Sequence, residues 1–140
     1  MKVVLDTNIL LSSLMVRRSP PDLIYRAWAR RQFDLVCCEQ ILAELREVSR
    51  RPQLRDRIRA VEVGTVTNTI RRLSLMHDRL PAVDQSPDPN DNFLLALAEA
   101  SGADYLVTGD KSGLLALGHF GTTHIVTARR FVQLLRLSDG

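Results

Sequence analysis

Acidic side chains stand directly after apolar runs at several points of the sequence. Asp6 ends the first such run, in MKVVLDTNIL, and Asp110 follows another, in YLVTGD. A third run leads to Asp84 in LPAVDQSPDPND, and this segment continues through Asp88 to Asp91. If the runs are parallel strands of one sheet, their carboxyl ends share one edge, which is where ligands bind in open α/β sheets. The pattern therefore predicts that several acids meet at that edge.

Glu44 is a further candidate, because its position on a predicted helix differs from that of the neighbouring glutamates. In EQILAELREVS the apolar stripe consists of Ile41, Leu45 and Val48. At ~3.6 residues per turn, Glu44 projects at the edge of this stripe, whereas the other two glutamates of the segment project towards water. A glutamate at the edge of a buried face usually has a partner, which could be an arginine or a metal ion.

Convergence of Asp6, Glu44, Asp91 and Asp110 would require cations. Two carboxylates ~4 Å apart repel each other by about 4 kcal/mol at an effective dielectric of roughly 20. Mg²⁺ or Mn²⁺ fits a site made mostly of carboxylate oxygens. Paired ions ~3.5–4 Å apart suit phosphodiester cleavage, in which they activate a water and stabilise the leaving oxygen. The chemistry that such a cluster predicts is metal-dependent hydrolysis of nucleic acid.

Each acid also has a purely structural alternative. Asp6 or Asn8 could be the N-cap of the helix that follows the first strand. Asp88 precedes a proline, which is typical of a helix start, and Asp91 would then favour the helix dipole from the third helical position. Asp110 could be a turn residue after a glycine. Capping accounts for each acid taken singly, and only their convergence favours a metal site.

The composition is that of an ordinary globular protein. The chain has 140 residues, 45% of them hydrophobic and 25% charged, which corresponds to one domain over residues 1–140. No run approaches the ~20 apolar residues of a membrane span. The N-terminus reads as a strand rather than a signal peptide. We therefore expect a cytoplasmic protein that does not contact a membrane.

Arginine accounts for almost all of the basic charge. The lysines are Lys2 and Lys111, the net charge is +3, and arginines recur in pairs with the highest density around residues 50–59. Arginine binds phosphate in a bidentate manner, so a polyanionic partner is one interpretation and a solvated helix surface is the other. The adjacent Cys37 and Cys38 lack the spacing of a zinc site, and we expect them to be buried apolar residues.

The elements that must position these acids alternate along the chain. Strands are predicted at Lys2–Leu5, Phe33–Cys37, Tyr105–Thr108 and Thr123–Val126, with a weaker one at Leu80–Val83. Helices are predicted at Asn8–Val16, Pro20–Arg31, Glu39–Arg50, Gln53–Ala60, Glu62–Met76, Pro89–Ser101, Ser112–Leu117 and Ala128–Leu137. Apolar strands that alternate with helices indicate an α/β fold with a parallel sheet covered on both faces.

With these residues in place, the chain resembles PIN-domain nucleases, and within them the VapC-like toxins of type II toxin–antitoxin systems. The matching stretches are VVLDTNIL, ILAELREV, DPNDNFLLALAEASGADYLVTGD and IVTARRFVQLL, which occur in the expected order through nearly the whole chain. The combination of LDTNIL with a later LVTGD is the most specific part of the match. The resemblance implies a PIN-like, Rossmann-like three-layer α/β/α sandwich with a central parallel sheet.

The resemblance also implies an activity and a set of site residues. The activity is that of an endoribonuclease dependent on Mg²⁺ or Mn²⁺, with RNA as the substrate and a cognate antitoxin protein as the partner. The metal-binding and catalytic acids of the family fall on Asp6, Glu44, Asp91 and Asp110. The polar residues that support them fall on Asn8 and Thr108. No histidine is assigned a role.

One departure from the family bears on the number of metal ions. Relatives often carry another acid shortly after the last aspartate, whereas GDKSGLL has Ser112 there, with Gly113 inserted. A second ion would then bind weakly, or only with substrate present. Asp88 is an extra acid that could reach a metal ion through water, although capping is the better interpretation.

Three functions are compatible with these patterns. The first is an endoribonuclease toxin held silent by an antitoxin, which an antitoxin gene directly upstream would favour. The second is a nuclease of RNA processing or DNA cleavage. The third is a non-catalytic PIN-like module that binds nucleic acid or protein. The relatives commonly form homodimers, for which Tyr25 and Trp28 could supply an interface, although both could equally belong to the core.

Overall fold

A mostly parallel sheet lies at the centre of the structure, a computed structural model that describes residues 1–110 and 113–139. Its strands are β1 (Lys2–Leu5), β2 (Asp34–Cys37), β3 (Leu75–Met76), β4 (Tyr105–Val107), β5 (His119–Phe120) and β6 (Thr123–Val126). They are ordered β3-β2-β1-β4-β6-β5 across the sheet. In the described residues, β5 pairs antiparallel with β6, and the other pairings are parallel.

Helices cover both faces of the sheet. They are α1 (Thr7–Met15), α2 (Pro20–Ala29), α3 (Glu39–Ser49), α4 (Ala60–Leu73), α5 (Asn92–Ser101), α6 (Leu114–Leu117) and α7 (Ala128–Asp139). Connections between parallel strands are right-handed, so the steps from β1 to β2 to β3 place α1 to α4 on one face, and the return from β3 to β4 places α5 on the other. Helix α7 contacts α2. The architecture is the predicted three-layer α/β/α sandwich.

The core fixes the strands and helices from which the acids project. In β1, Val3 and Val4 are fully buried, as expected for a strand covered on both faces. Consecutive residues of α5 from Leu94 to Ala98 are also buried, and this helix packs on β1, β2 and β4. It ends at Gly102, which adopts the left-handed conformation (φ 66°) that favours glycine. The start of α5 is therefore held against the carboxyl ends of the central strands.

Two predictions around β3 are wrong. The weak strand at Leu80–Val83 does not form, and the third strand is instead Leu75–Met76, paired with β2. The helix predicted to end at Met76 ends at Leu73, because Ser74 is already extended and starts this strand. Pro81 has no N–H to donate to a neighbouring strand, which disfavours pairing of the Leu80–Val83 segment.

The helix predicted at Gln53–Ala60 is also wrong. Residues 50–59 form consecutive turns, held in part by two helix-like hydrogen bonds, from the N–H of Arg55 to Arg51 O and from that of Ile58 to Leu54 O. In a regular helix, Arg51, Arg55 and Arg59 would stack at i, i+4 spacing, where like charges disfavour the helix. Buried Ile58 and half-buried Leu54 fasten the segment to the core.

Several smaller predictions have clear outcomes. Cys37 and Cys38 are buried free thiols at the end of β2, as predicted, and burial raises the pKa of Cys37 to about 12. Part of the helix predicted at Ser112–Leu117 forms as α6, while Ser112 itself lies outside the described residues. Strand β5 was not predicted. None of the helices in the described residues has the length and apolar character needed to span a membrane.

Candidate active site

The candidate site lies where the strand order reverses. From β1 the chain moves first to β2 on one side and later to β4 on the other, so β1 and β4 border the switch point at which open α/β sheets bind ligands. Asp6 follows β1 directly, and Thr108 follows β4 directly. The backbone N–H of Asp6 donates to the carbonyl of Val107 over 3.0 Å, which keeps the ends of the two strands in register.

Asp6 is buried, and its carboxylate reaches the residue that follows β4. It stands at the N-cap position of α1 but makes no side-chain cap hydrogen bond. Its Oδ2 instead accepts a 2.8 Å hydrogen bond from the hydroxyl of Thr108. Burial raises the pKa of the Asp6 carboxyl, the hydrogen bond from Thr108 opposes this rise, and the nearby Asp110 adds to it. The backbone N–H groups of Thr7 and Asn8 also lower this pKa, so the carboxylate interacts with the start of α1 as well as with Thr108.

Glu44 projects from α3 towards the start of α1. It is half-buried, as its place at the edge of the apolar stripe predicts, whereas Glu39 and Glu47 are exposed. Its partner is the buried Thr7, whose hydroxyl donates a 2.9 Å hydrogen bond to Glu44 Oε2. Among the described residues no arginine or lysine forms an ion pair with Glu44, so the arginine alternative is not realised there.

Asp91 occupies the junction between a 3₁₀ turn, Pro89–Asp91, and α5. The pKa of its carboxyl is raised to about 6, mainly by desolvation and then by the charges of four other acids. Those acids are, in order of effect, Asp6, Asp88, Asp110 and Glu44. The charges of these acids are close enough to add to the effect of desolvation on Asp91, a proximity that capping alone does not require.

Asp88 does cap the turn, as predicted. Its Oδ1 accepts a 3.0 Å hydrogen bond from the backbone N–H of Asn90. It nevertheless borders the same cleft as the other acids and contributes to the raised pKa of Asp91. Capping and proximity to the site are therefore not exclusive at this position.

Asp110 is held by hydrogen bonds on both sides. Its backbone N–H donates to the side-chain hydroxyl of Thr108 over 3.2 Å, and its carboxylate Oδ1 accepts from the backbone N–H of Gly113 over 3.1 Å. A Cβ atom at position 113 would overlap Oδ2 and Cγ of Asp110. The glycine at 113 therefore permits the close approach that fixes this carboxylate.

These side chains line one open cleft of 560 Å³. Its described lining consists of Asp6, Thr7, Asn8, Glu44, Val48, Asp88, Asp91, Gly109 and Asp110, none of them basic. In the described part of the chain, no three histidine, cysteine or acidic side chains are close enough together to hold an ion as they stand. Hydrogen bonds from Thr7, Thr108 and Gly113 fix the orientation of the Glu44, Asp6 and Asp110 carboxylates.

The remaining residues singled out from the sequence differ in their relation to the cleft. Asp84 is exposed and takes no part, because the strand expected before it does not form. Asn8 lies in the cleft lining and is exposed. Thr7 was not predicted as part of the site, although its position beside Asp6 at the start of α1 was the available signal. Ser112, the departure from the family pattern, lies outside the described residues.

A family model described as PIN domain matches residues 2–112 of the chain. This range contains all four predicted acids and both supporting polar residues. Comparison with curated proteins and with solved structures gives no match.

Proposed function

Since the chain belongs to the PIN-domain family, and since PIN domains are generally nucleases that typically use divalent metals, we propose that this protein is a metal-dependent endoribonuclease. We further propose that it is the toxin of a toxin–antitoxin pair and acts in the cytoplasm. The observation that carries the nuclease proposal is the environment of Asp91, whose pKa is raised to about 6 in a cleft shared with four other carboxylates.

The donor set of the cleft fits Mg²⁺ or Mn²⁺. Both ions prefer oxygen ligands, and the cleft offers carboxylates from Asp6, Glu44, Asp91 and Asp110 without a cysteine or histidine in its described lining. The carboxylates are not close enough to hold an ion without movement. Binding therefore requires side-chain rotation, for which the half-exposed Glu44, Asp91 and Asp110 have room.

The residues of the cleft would have different roles around a bound ion. A bound divalent ion would supply an activated water and an electrophile for phosphodiester hydrolysis. Thr108 and Thr7 orient Asp6 and Glu44 by donating to their carboxylates. Asp91, with its pKa of about 6, exchanges a proton near neutral pH and must lose it before it can serve as a ligand.

The toxin role and its partners rest on the resemblance alone. The matching motifs run in the order found in VapC-like toxins, which supports a cognate antitoxin as the partner. For a homodimer, the aromatic pair of α2 gives limited support: Trp28 is 7% exposed and belongs to the core. Tyr25 is part-buried and borders an apolar groove of 310 Å³ with Leu73 and Leu75. Homodimerisation therefore stays a prediction.

A non-catalytic binding module is the second candidate. The serine at position 112, where relatives often carry a further acid, supports it, because the chain then offers one metal ligand fewer. A nuclease of RNA processing or DNA cleavage would use the same acids, and the choice of substrate separates it from a toxin.

The decisive experiment compares cleavage of structured RNAs by the purified protein in Mg²⁺, in Mn²⁺ and in EDTA. Asp6→Asn removes an acid of the cleft, and Asp84→Asn removes an exposed acid outside it as the matched control. We expect metal-dependent cleavage that is lost in Asp6→Asn and kept in Asp84→Asn. Equal activity in all three proteins would indicate a contaminating nuclease. No cleavage in any of them, without Mn²⁺ binding by calorimetry, would support the binding module.

A further inference from the structure

The positive charge of the chain is concentrated in the turns that follow α3. Residues 50–59 hold five arginines and one aspartate, which gives this segment a formal charge of +4. The whole chain carries +3, so the rest of it sums to −1. A net charge that resides in one short segment is a local feature of the surface and can bind a partner of opposite charge.

The arginines of this segment are available for such a partner. Arg50, Arg51, Arg55, Arg57 and Arg59 are all exposed. The ion pairs of the described residues are Arg26–Asp22 and Arg71–Glu39, and neither involves the segment. In contrast to these two paired arginines, the arginines of the segment form no ion pair within the described residues.

The segment is ordered rather than a free tail. Ile58 is 4% exposed and packs in the core, with Leu54 against it. Backbone hydrogen bonds link the N–H groups of Leu54 and Arg55 to Arg51 O, and those of Arg57 and Ile58 to Leu54 O. The guanidinium groups therefore extend from a backbone with a defined shape, which lowers the entropy lost on binding.

The segment is continuous with the acidic cleft through α3. Glu44 and Val48 of this helix line the cleft, and the N–H of Arg51 donates to the carbonyl of Val48 over 3.1 Å. At ~1.5 Å of rise per residue, Glu44 is about 7.5 Å along the axis of α3 from Ser49, its last residue, and Arg50 and Arg51 follow directly. A separate groove of 180 Å³ lies between α3 and α4 and is bordered by Arg46, Arg50 and Arg55.

An acidic cleft needs such a neighbour in order to bind a polyanion. Five carboxylates line the cleft and repel phosphate, and its described lining contains no basic side chain to offset them. A substrate that reaches the acids must therefore gain its affinity from adjoining surface. Phosphate contacts by arginine supply most of the affinity of sequence-independent nucleic-acid binding.

We propose that residues 50–59 bind the phosphate backbone of the RNA substrate beside the cleft and position it for cleavage at the acids. The choice of RNA as the ligand rests on the proposed nuclease function. The arginines of the segment are all exposed, so their guanidinium groups are accessible to phosphate.

The test measures binding of fluorescein-labelled hairpin and single-stranded RNAs by anisotropy, in EDTA, between ~50 and ~200 mM salt, the range over which phosphate contacts dominate. One variant carries Arg51→Gln, Arg55→Gln and Arg57→Gln, none of which makes a side-chain hydrogen bond or ion pair within the described residues. The matched control carries Arg17→Gln, Arg30→Gln and Arg72→Gln, which remove the same charge from exposed positions outside the cleft and the segment. Thermal unfolding checks that both remain folded.

We expect the segment variant to bind at least tenfold more weakly at about 0.1 M salt. The slope of log K against log salt concentration should become shallower by up to about 2, since each phosphate contact to a single strand contributes roughly 0.7 to this slope. The control should lose less than threefold, and a variant with lysine at positions 51, 55 and 57 should keep most of the slope. Equal losses in the two glutamine variants, no loss in either, or no RNA binding by the natural chain would overturn the inference.

Cleavage by the same proteins in Mn²⁺ separates this inference from the proposed function. If the natural chain cleaves RNA and the segment variant binds normally, the inference fails and the nuclease proposal stands. If no protein cleaves while binding depends on the segment, the nuclease proposal fails and the segment remains a nucleic-acid surface. If the segment variant cleaves more slowly than the natural chain at low protein concentration but equally fast at saturating protein, this would support a role of the segment in binding rather than in chemistry.

Discussion

The hydroxyl of Thr108 donates a 2.8 Å hydrogen bond to Oδ2 of Asp6 and accepts one of 3.2 Å from the backbone N–H of Asp110. Thr108 is fully buried, so neither hydrogen bond competes with water. One side chain thus couples the acids that follow β1 and β4, although Thr108 and Asp6 are 102 positions apart. It also opposes the rise that burial causes in the pKa of Asp6.

Replacement of Thr108 by valine keeps the shape of this residue and removes both hydrogen bonds. We expect the pKa of Asp6 to rise further, because the buried carboxylate loses its donor. Stability should fall by about 1–3 kcal/mol at pH 7, the usual cost of an unsatisfied buried polar group. Calorimetry should find Mn²⁺ binding weakened at least tenfold. Thr108→Ser restores the hydroxyl and should recover most of the affinity, and unchanged Mn²⁺ binding by Thr108→Val would count against this role.

The fold was predictable because its signals are local and strong. The runs before Asp6 and Asp110 are short and apolar, and each is flanked by helical periodicity, as parallel strands covered on both faces require. The predictions that are wrong concern segments whose structure depends on tertiary contacts. Leu75–Met76 becomes a strand only because the edge of β2 is free to pair with it. Repulsion among the arginines disfavours a helix at residues 50–59, and a prediction from apolar periodicity does not take this repulsion into account.

Asp91→Asn tests the repulsion within the cleft. The pKa of Asp91 is about 6 in the folded chain and near 3.8 when unfolded, so the native state binds the proton more tightly. Stability of the metal-free protein should therefore fall as pH rises from about 4 to 6 and stay lowered above that. Because the carboxylate is only partly buried, solvent screening limits the effect to about 1 kcal/mol.

In the metal-free protein at pH 7, Asp91→Asn should raise the melting temperature by about 2–5 °C and abolish cleavage. At pH 4, where the native carboxyl is already protonated, the substitution should change the melting temperature little. Thermal unfolding in EDTA at both pH values measures this difference. A lower melting temperature at pH 7 would favour a role of Asp91 at the helix terminus over repulsion.

Stabilisation by metal should depend on pH through the same residue. At pH 5 most Asp91 carboxyls carry a proton that a cation must displace, whereas at pH 7.5 few do. An ion at 100 times its Kd stabilises the native state by about 2.7 kcal/mol. We therefore expect Mn²⁺ to raise the melting temperature clearly at pH 7.5 and much less at pH 5. Asp84→Asn, which alters an exposed acid outside the cleft, should keep this pH dependence. A Mn²⁺ shift of equal size at the two pH values would argue that Asp91 is not a ligand.

The candidate site was predictable in its acids and less so in the groups that hold them. Asp6, Glu44, Asp91 and Asp110 were found from strand ends and one helical face, and all four border the cleft. Thr7 escaped notice because its hydroxyl reaches across to α3, a contact set by helix packing rather than by spacing in the sequence. Asp84 was expected at a strand end that does not exist, so its position carried no information about the cleft.

Gly113→Ala removes no acid and yet should disable the site. The N–H of Gly113 donates to Asp110 Oδ1 over 3.1 Å, and a methyl group at this position would overlap Oδ2 and Cγ of the same carboxylate. Asp110 must then rotate away, so we expect Mn²⁺ affinity to fall at least tenfold by calorimetry, with a corresponding loss of cleavage. Gly64→Ala is the matched control, because nothing lies within 4 Å of a Cβ at that exposed position of α4. It should leave Mn²⁺ binding unchanged and stabilise the helix by about 0.5–1 kcal/mol. Wild-type Mn²⁺ affinity in Gly113→Ala would mean that Asp110 moves freely and that the glycine is not needed to place it.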